Sequence, residues 1–186
     1  MTTWHYIKIR HNYKTIFLDE LFIDNEQKNV VVTFDDAYKD VITNAYPILE
    51  KYNFQATVFV ITDFVGKDRY LTWEDIKTLK KNGWHIESHT LTHPNLSNIS
   101  EKEAKRQIYE SKNKIEKNLG TIVRFLSYPA GKYDDDIIEL TKEAGYTGAV
   151  STDKGIENSA VDIYKLKRER VGGYDTFDGF KAKFEQ

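Results

Sequence analysis

The chain of 186 residues contains no cysteine. That absence excludes disulfides, thiolate zinc sites and thiol catalysis together, while leaving the compartment open. With only 3 prolines and 10 glycines, no flexible linker, low-complexity tract or internal domain boundary is visible. Long apolar runs are missing as well. The opening Met1-Thr2-Thr3-Trp4-His5-Tyr6-Ile7-Lys8 lacks the hydrophobic stretch of a signal peptide or a transmembrane helix, so the chain reads as soluble with no membrane segment. Neither charge dominates. The 27 basic and 29 acidic residues leave a formal net charge of -2, which gives no electrostatic footing for nucleic acid or an anionic membrane and suits a neutral partner.

What is present fits one domain with one core. The 12 Tyr, 10 Phe and 3 Trp belong mostly to that core, with some available for a sugar-stacking surface. Strand-like runs at 30–34, 56–61, 84–88, 125–128, 148–151 and 164–171 alternate with helical stretches. The first of these helices, 41–52, carries Pro47 as an irregularity near its start. A second covers 72–81, with Thr72 and Asp75 spaced as a capping box and Gly83 as a stop. Ser100 and Glu103 repeat that spacing before a long helix whose buried face is Ala104, Ile108, Ile115 and Leu119, ending at Gly120. Helices over 137–144, closed by Gly145, and 177–184 complete the pattern. Strands alternating with helices predict parallel pairing, as an open doubly wound sheet or a barrel. In either, chemistry gathers at the C-terminal ends of the strands.

Three groups fall at such ends. The run Val30-Val31-Val32-Thr33-Phe34 stops at two adjacent carboxylates, Asp35 and Asp36, where an unpaired buried charge costs several kcal/mol. His89 and His93 follow the third strand, and Tyr128-Pro129-Ala130-Gly131 follows the fourth. Taken singly, these are a turn or helix cap, a capping and a surface histidine, and a tight turn. Together they describe a metal site: one Asp and two His suit a divalent ion, leaving the second Asp as a base.

The motifs Thr33-Phe34-Asp35-Asp36, Ser88-His89-Thr90-Leu91-Thr92-His93 and Ser127-Tyr128-Pro129-Ala130-Gly131 resemble those of the polysaccharide deacetylases of carbohydrate esterase family four, the NodB homology domain. The resemblance extends through Asn44-Ala45-Tyr46-Pro47-Ile48-Leu49 over roughly residues 28 to 184 and is greatest to the poly-N-acetylglucosamine deacetylase branch. It divides the chain into an N-terminal extension, 1–27, and a single deacetylase domain, 28–186. It implies an α/β fold, a distorted, incomplete (β/α) barrel. It also implies removal of N-acetyl groups from a β-linked N-acetylglucosamine polymer. Asp35 matches the general base; Asp36, His89 and His93 match the ligands of one divalent metal, Zn2+ by preference with Co2+ or Ni2+ accepted. The Ala130 N–H matches an oxyanion donor, with Tyr128 and Pro129 lining the groove. The implied partner is an acetylated polysaccharide, the location extracellular or at the cell surface, and the chain a monomer. The same resemblance leaves open an O-acetyl xylan esterase, or a glycan-binding domain of this fold without turnover.

Three positions depart from the family pattern. Ala37 stands where a glycine often follows the paired Asp. Ser127 stands where many members carry the arginine that orients the base, so Asp35 is expected to lack that partner, Arg124 pointing elsewhere. No histidine follows His93, which leaves the general acid unassigned. His5 and His11 read as surface residues, and His85 as a packed one deeper on the third strand.

Overall fold

The computed structural model describes residues 13–23, 28–156 and 158–183. A short parallel ladder joins β1 (Lys14–Thr15) to β2 (Asn29–Val30). The main sheet then takes its strands in chain order: β3 (Thr33–Phe34), β4 (Thr57–Val60), β5 (His85–Ser88), β6 (Phe125–Ser127) and β7 (Gly148–Val150), all parallel. A doubly wound sheet reverses its order at a switch point, and this one does not. It curls instead into a half-barrel flanked by helices, the incomplete (β/α) barrel expected.

The helices form where capping and periodicity place them. An irregular wide turn over Val41–Ala45 leads into α1 (Tyr46–Lys51). Pro47 sits in the first turn of α1, where its missing N–H leaves no helical bond unmade. In α2 (Trp73–Lys81) the Thr72 and Asp75 side chains each accept from the other's backbone N–H, at 3.1 and 2.9 Å. Only half of the second expected box forms, at α3 (Glu101–Leu119). Ser100 accepts from the Glu103 N–H at 3.3 Å, but the Glu103 carboxylate turns to Arg106 and Gln107. Gly120 ends α3 in the left-handed conformation, φ 57°. After α4 (Asp135–Glu143) and β7, the expected sixth strand shrinks to one parallel bridge between Leu166 and Val150. The chain then reaches α5 (Phe177–Ala182).

The run 30–34 also differs from its expectation. Val30 pairs with Thr15, whereas Thr33 and Phe34 pair with Thr57 and Val58. The strand changes partner midway, held across the gap by the Thr57 N–H donating to Val32 O at 2.9 Å.

Two apolar layers lie on either side of the sheet. Val58, Val60, Ile76, Leu79, Ile108, Ile115 and Leu126 pack beneath the helices. On the other face Phe59, Phe125, Val150, Leu166 and Leu18 form a smaller cluster. Leu18 belongs to the segment expected as an extension, whose Thr15 hydroxyl also accepts from the Gln55 N–H at 2.9 Å; residues 13–23 therefore pack onto the domain.

Within this core lies one carboxyl group, Glu87, only 3% exposed. Its Oε2 accepts from the N–H groups of Arg124 and Phe125, at 2.7 and 2.8 Å, tying β5 to the start of β6. Burial outweighs those two donors and raises its pKa from 4.5 to about 8. The native state thus holds this proton over a pH range in which the unfolded chain has released it, and stability falls as pH rises from about 5 to 8. Urea denaturation at several pH values should show this slope in the wild type and a shallower one in Glu87→Gln. Equal slopes would contradict the assignment.

Candidate active site

Five parallel strands aim their C-terminal ends at one cleft, and the candidate residues lie there. Asp35 and Asp36 follow β3, His89 follows β5, and the Tyr128–Gly131 turn follows β6. The backbone at this end is unusually strained. Asp36, Ala37, Thr90, His93 and Ala130 all adopt positive φ, between 54° and 70°. Each left-handed non-glycine residue costs about 1 kcal/mol, so the surrounding contacts must hold the turns in place. At Ala37, a glycine would remove that strain. At Gly131 the constraint is steric as well, since a Cβ there would lie 2.6 Å from the Thr152 backbone N.

Asp35 has a partner, contrary to the expectation from sequence. Arg168, beyond the Leu166 bridge, donates from Nη1 and Nη2 to Oδ1 and Oδ2 at 2.8 and 2.7 Å. Its remaining N–H groups reach Thr33 Oγ1 at 3.1 Å, Ser127 Oγ at 3.1 Å and the Ser151 carbonyl at 3.0 Å. All five donors of the guanidinium are therefore used, and its carbon lies 5.6 Å from the Phe59 ring centre. Burial would raise the Asp35 pKa, but the hydrogen bonds and charge of Arg168, with His89 and Ser127, hold it below the ordinary carboxylate value. Asp35 is thus an anion. Ser127 occupies the position where an arginine was sought, and it accepts from that arginine's replacement while donating to Asp35 at 3.3 Å. Arg124 is held through its backbone instead, its N–H donating to Glu87 and its carbonyl accepting from Thr147.

Asp36, His89 and His93 converge as expected. Asp36 Oδ1 lies 3.5 Å from His89 Nε2 and 3.7 Å from His93 Nε2, near the roughly 3.4 Å edge of a tetrahedron with 2.1 Å metal bonds. His89 Nδ1 makes a 2.7 Å hydrogen bond to the Ser127 carbonyl. Because a carbonyl only accepts, the proton resides on Nδ1 and the Nε2 lone pair faces Asp36. Burial lowers the His89 pKa despite the opposing charges of Asp35 and Asp36, which favours the neutral, ligating form. This nitrogen, nitrogen, oxygen set could hold a divalent metal.

The loop carrying the histidines is fixed by Gln107, 1% exposed on α3. Its Oε1 accepts from the N–H groups of Leu91 and Thr92 at 3.1 and 3.0 Å, and its Nε2 donates to Thr92 Oγ1 and Glu103 Oε1. In the sequence Gln107 carries no motif, since its position on the helix face resembles any other buried one. A polar residue among Ala104, Ile108 and Ser111 was the available signal.

The turn after β6 partly departs from expectation. Ala130 is exposed, and among the described residues its N–H has no hydrogen-bond partner, leaving it available to a substrate oxygen. Tyr128 and Pro129, expected to line the groove, are instead buried. Tyr128 is wholly inaccessible, donating to the Tyr164 carbonyl at 3.1 Å and stacking on Tyr133. Their role is to support the turn from below. Among the described residues, no histidine completes the site as an acid. His85 begins β5, at the opposite end from His89, stacked 3.5 Å from the Phe17 ring; His5 and His11 lie outside the described residues.

Comparisons with known proteins agree with this geometry. The sequence pattern of the polysaccharide deacetylase family matches residues 23–149. The Bacillus subtilis protein YxkH is 32% identical over 159 residues, 86% of this chain and 57% of that protein. Poly-beta-1,6-N-acetyl-D-glucosamine N-deacetylase of Staphylococcus aureus is 30% identical over 153 residues, 74% of this chain and 53% of its own. The chain thus spans little more than half the length of these relatives. Among solved structures, the Streptococcus pyogenes deacetylase PplD, in complex with acetate, superposes with a TM-score of 0.91 at 28% identity, covering 99% of this chain and 84% of that one. Among the described residues, no helix is long and apolar enough to cross a membrane.

The Arg168 pair generates a direct test. Arg168→Met removes the groups that oppose burial, so the pKa of Asp35 should rise, and the acid limb of the activity profile should move to higher pH. Turnover should fall about 100-fold through misplacement of the carboxylate. An unmoved acid limb would show that Arg168 does not tune Asp35.

Proposed function

The chain belongs to the polysaccharide deacetylase family, and from that premise we propose that it removes N-acetyl groups from a β-linked N-acetylglucosamine polymer by metal-dependent hydrolysis. The observation that carries this reading is the separation of two adjacent carboxylates into two environments. Asp35 is bound on both oxygens by Arg168, while Asp36 faces two imidazoles. One is equipped as a base and the other as a ligand. The Staphylococcus aureus relative, named for its action on poly-β-1,6-N-acetyl-D-glucosamine, supports the choice of amide over ester. The substrate of such a reaction is a surface or exported glycan, and we place the domain outside the cell or on its surface.

Asp36, His89 and His93 would hold the divalent ion, with Zn2+ the best match to two imidazoles and a carboxylate. Bound there, the ion supplies Lewis acidity toward the acetamide carbonyl and an attacking water. The remaining work falls to the protein. Asp35, kept ionised by Arg168, accepts the water proton on an oxygen that also faces Ser127. The free Ala130 N–H donates to the developing oxyanion. His89, locked by the Ser127 carbonyl, keeps its orientation throughout. Among the described residues, no histidine stands at this site to protonate the leaving amine.

Acetate release from poly-β-1,6-N-acetylglucosamine, chitin oligomers, peptidoglycan and O-acetyl xylan, each with zinc or cobalt, tests the function. Release from an N-acetylglucosamine polymer is expected; activity confined to acetyl xylan would instead make the protein an esterase. Metal analysis separates the two carboxylates. Asp35→Asn should keep its zinc while losing about two to four orders of magnitude in turnover, and His93→Ala should lose the zinc. Comparable zinc loss in Asp35→Asn and Asp36→Asn would show that their roles are wrongly divided. Because no histidine among the described residues is placed to protonate the leaving amine, an activated acetyl ester should be cleaved faster than the amide, and fast amide turnover lost in His5→Ala or His11→Ala would assign the proton to that histidine instead.

A further inference from the structure

An aromatic patch remains uncovered beside Asp36. Tyr38, two residues further on, is 41% exposed, and its backbone forms an isolated antiparallel bridge with Tyr70. The two rings stack with centroids 5.0 Å apart and planes 28° apart. Phe64 meets the edge of Tyr70, again at 5.0 Å, and the Lys67 ammonium lies 4.6 Å from the centre of the Phe64 ring. This lobe is fastened to the Asp36 turn by two backbone bonds, Lys39 N–H to Arg69 O and Leu71 N–H to Ala37 O, and is closed on itself by Gly66 N–H to Leu71 O. Its return at Gly66 and Arg69 uses left-handed backbone, φ 82° and 69°. The patch is therefore held in place, and held against the same turn that presents the candidate metal ligand.

Rings of this size are unfavourable when left in water, yet Tyr38 stays 41% exposed beside its stack with Tyr70. The surround is polar, with Lys67, Asp68 and Arg69 exposed. An apolar plane inside a polar rim matches a pyranose ring. In a β-linked glucosamine unit all substituents are equatorial, so its C–H face is flat and its hydroxyls point outward at the rim. Two residues of extended chain reach at most about 7 Å, which puts Tyr38 next to the reacting sugar rather than across the cleft.

Building on the deacetylase reading above, we propose that Tyr38, supported by Tyr70 and Phe64, is a sugar-stacking subsite that binds the pyranose neighbouring the one being deacetylated and so selects a chain over a free monosaccharide. Tyr70 stacks against the Tyr38 ring and is itself met edge-on by Phe64 under the Lys67 ammonium, and Lys67 and Arg69 are exposed in the same lobe.

The test uses Tyr38→Ala and Tyr38→Trp with two probes, the β-1,6-linked N-acetylglucosamine tetramer and its fully deacetylated counterpart. Binding is followed by titration calorimetry and ligand-observed NMR, and turnover by acetate release from tetramer and dimer. Tyr38→Ala should weaken binding of both tetramers about three- to ten-fold. It should raise KM for the acetylated tetramer by a similar factor with kcat changed less than about two-fold, and it should erase the preference for tetramer over dimer. Tyr38→Trp should keep that preference. Tetramer binding equal in wild type and Tyr38→Ala, or no tetramer binding by the wild type, overturns the subsite. So does a fall in kcat with KM unchanged, which would place Tyr38 in support of the Asp36 turn. Tyr38-dependent binding of the deacetylated tetramer without any acetate release would leave the subsite standing and remove the deacetylase reading instead.

Discussion

Burial works against the charge on Asp35, and the guanidinium of Arg168 is what keeps that carboxylate ionised at the end of a strand. The pair fixes more than a pKa. Through its five donors Arg168 connects β3, the Ser127 end of β6 and the Ser151 end of β7 with the segment beyond Leu166. Without a full barrel to close the sheet, this side chain holds three strand ends in register around one cleft. The planar fork suits that task, because a lysine has three donors on one nitrogen rather than five spread over a fork, and lacks the flat face that rests near Phe59.

The histidine side of the cleft follows a different principle. No charge pairs with the loop between His89 and His93; it is held by neutral hydrogen bonds. Gln107 satisfies two loop N–H groups from a buried helix position, Thr90 Oγ1 takes the His93 N–H, and the Ser127 carbonyl sets the His89 tautomer. Those bonds offset the local cost of left-handed backbone at Thr90 and His93. The same carbonyl-bearing residue, Ser127, thus serves both halves of the site. Its hydroxyl contacts Asp35 and its carbonyl orients His89, so the candidate base and a candidate ligand share one strand end.

Parallel strands in chain order explain why residues far apart in sequence meet. Each crossover returns to the same end of the sheet, so every strand delivers its C-terminal residue to the cleft. The aromatic lobe around Tyr38 and Tyr70 rides on the first of these ends. Its connection to the Asp36 turn is through backbone bonds, one of them between Ala37 and Leu71, whose side chains are buried in the apolar core.

Much of this was legible in the sequence, for local reasons. Alternating apolar runs and helix stops at Gly83, Gly120 and Gly145 marked the elements, and the spacing of Asp35, Asp36, His89 and His93 at strand ends marked the metal set. These signals depend on neighbours a few residues apart, the range over which capping and periodicity act. Arg168 had no such signal. It lies in the basic run Lys165-Leu166-Lys167-Arg168-Glu169-Arg170, where nothing local separates a buried partner from a solvated one. The pairing crosses 133 residues and exists only once the last segment docks beside β7. Likewise the burial of Tyr128 and the placement of Glu87 depend on what packs over them. Sequence by itself determined the order of the main elements and the candidate ligand set, because capping, periodicity and strand-end motifs are local signals. The tertiary structure decided which cation holds the base, which rings support the site and which face the solvent, because those depend on contacts between segments that only folding brings together.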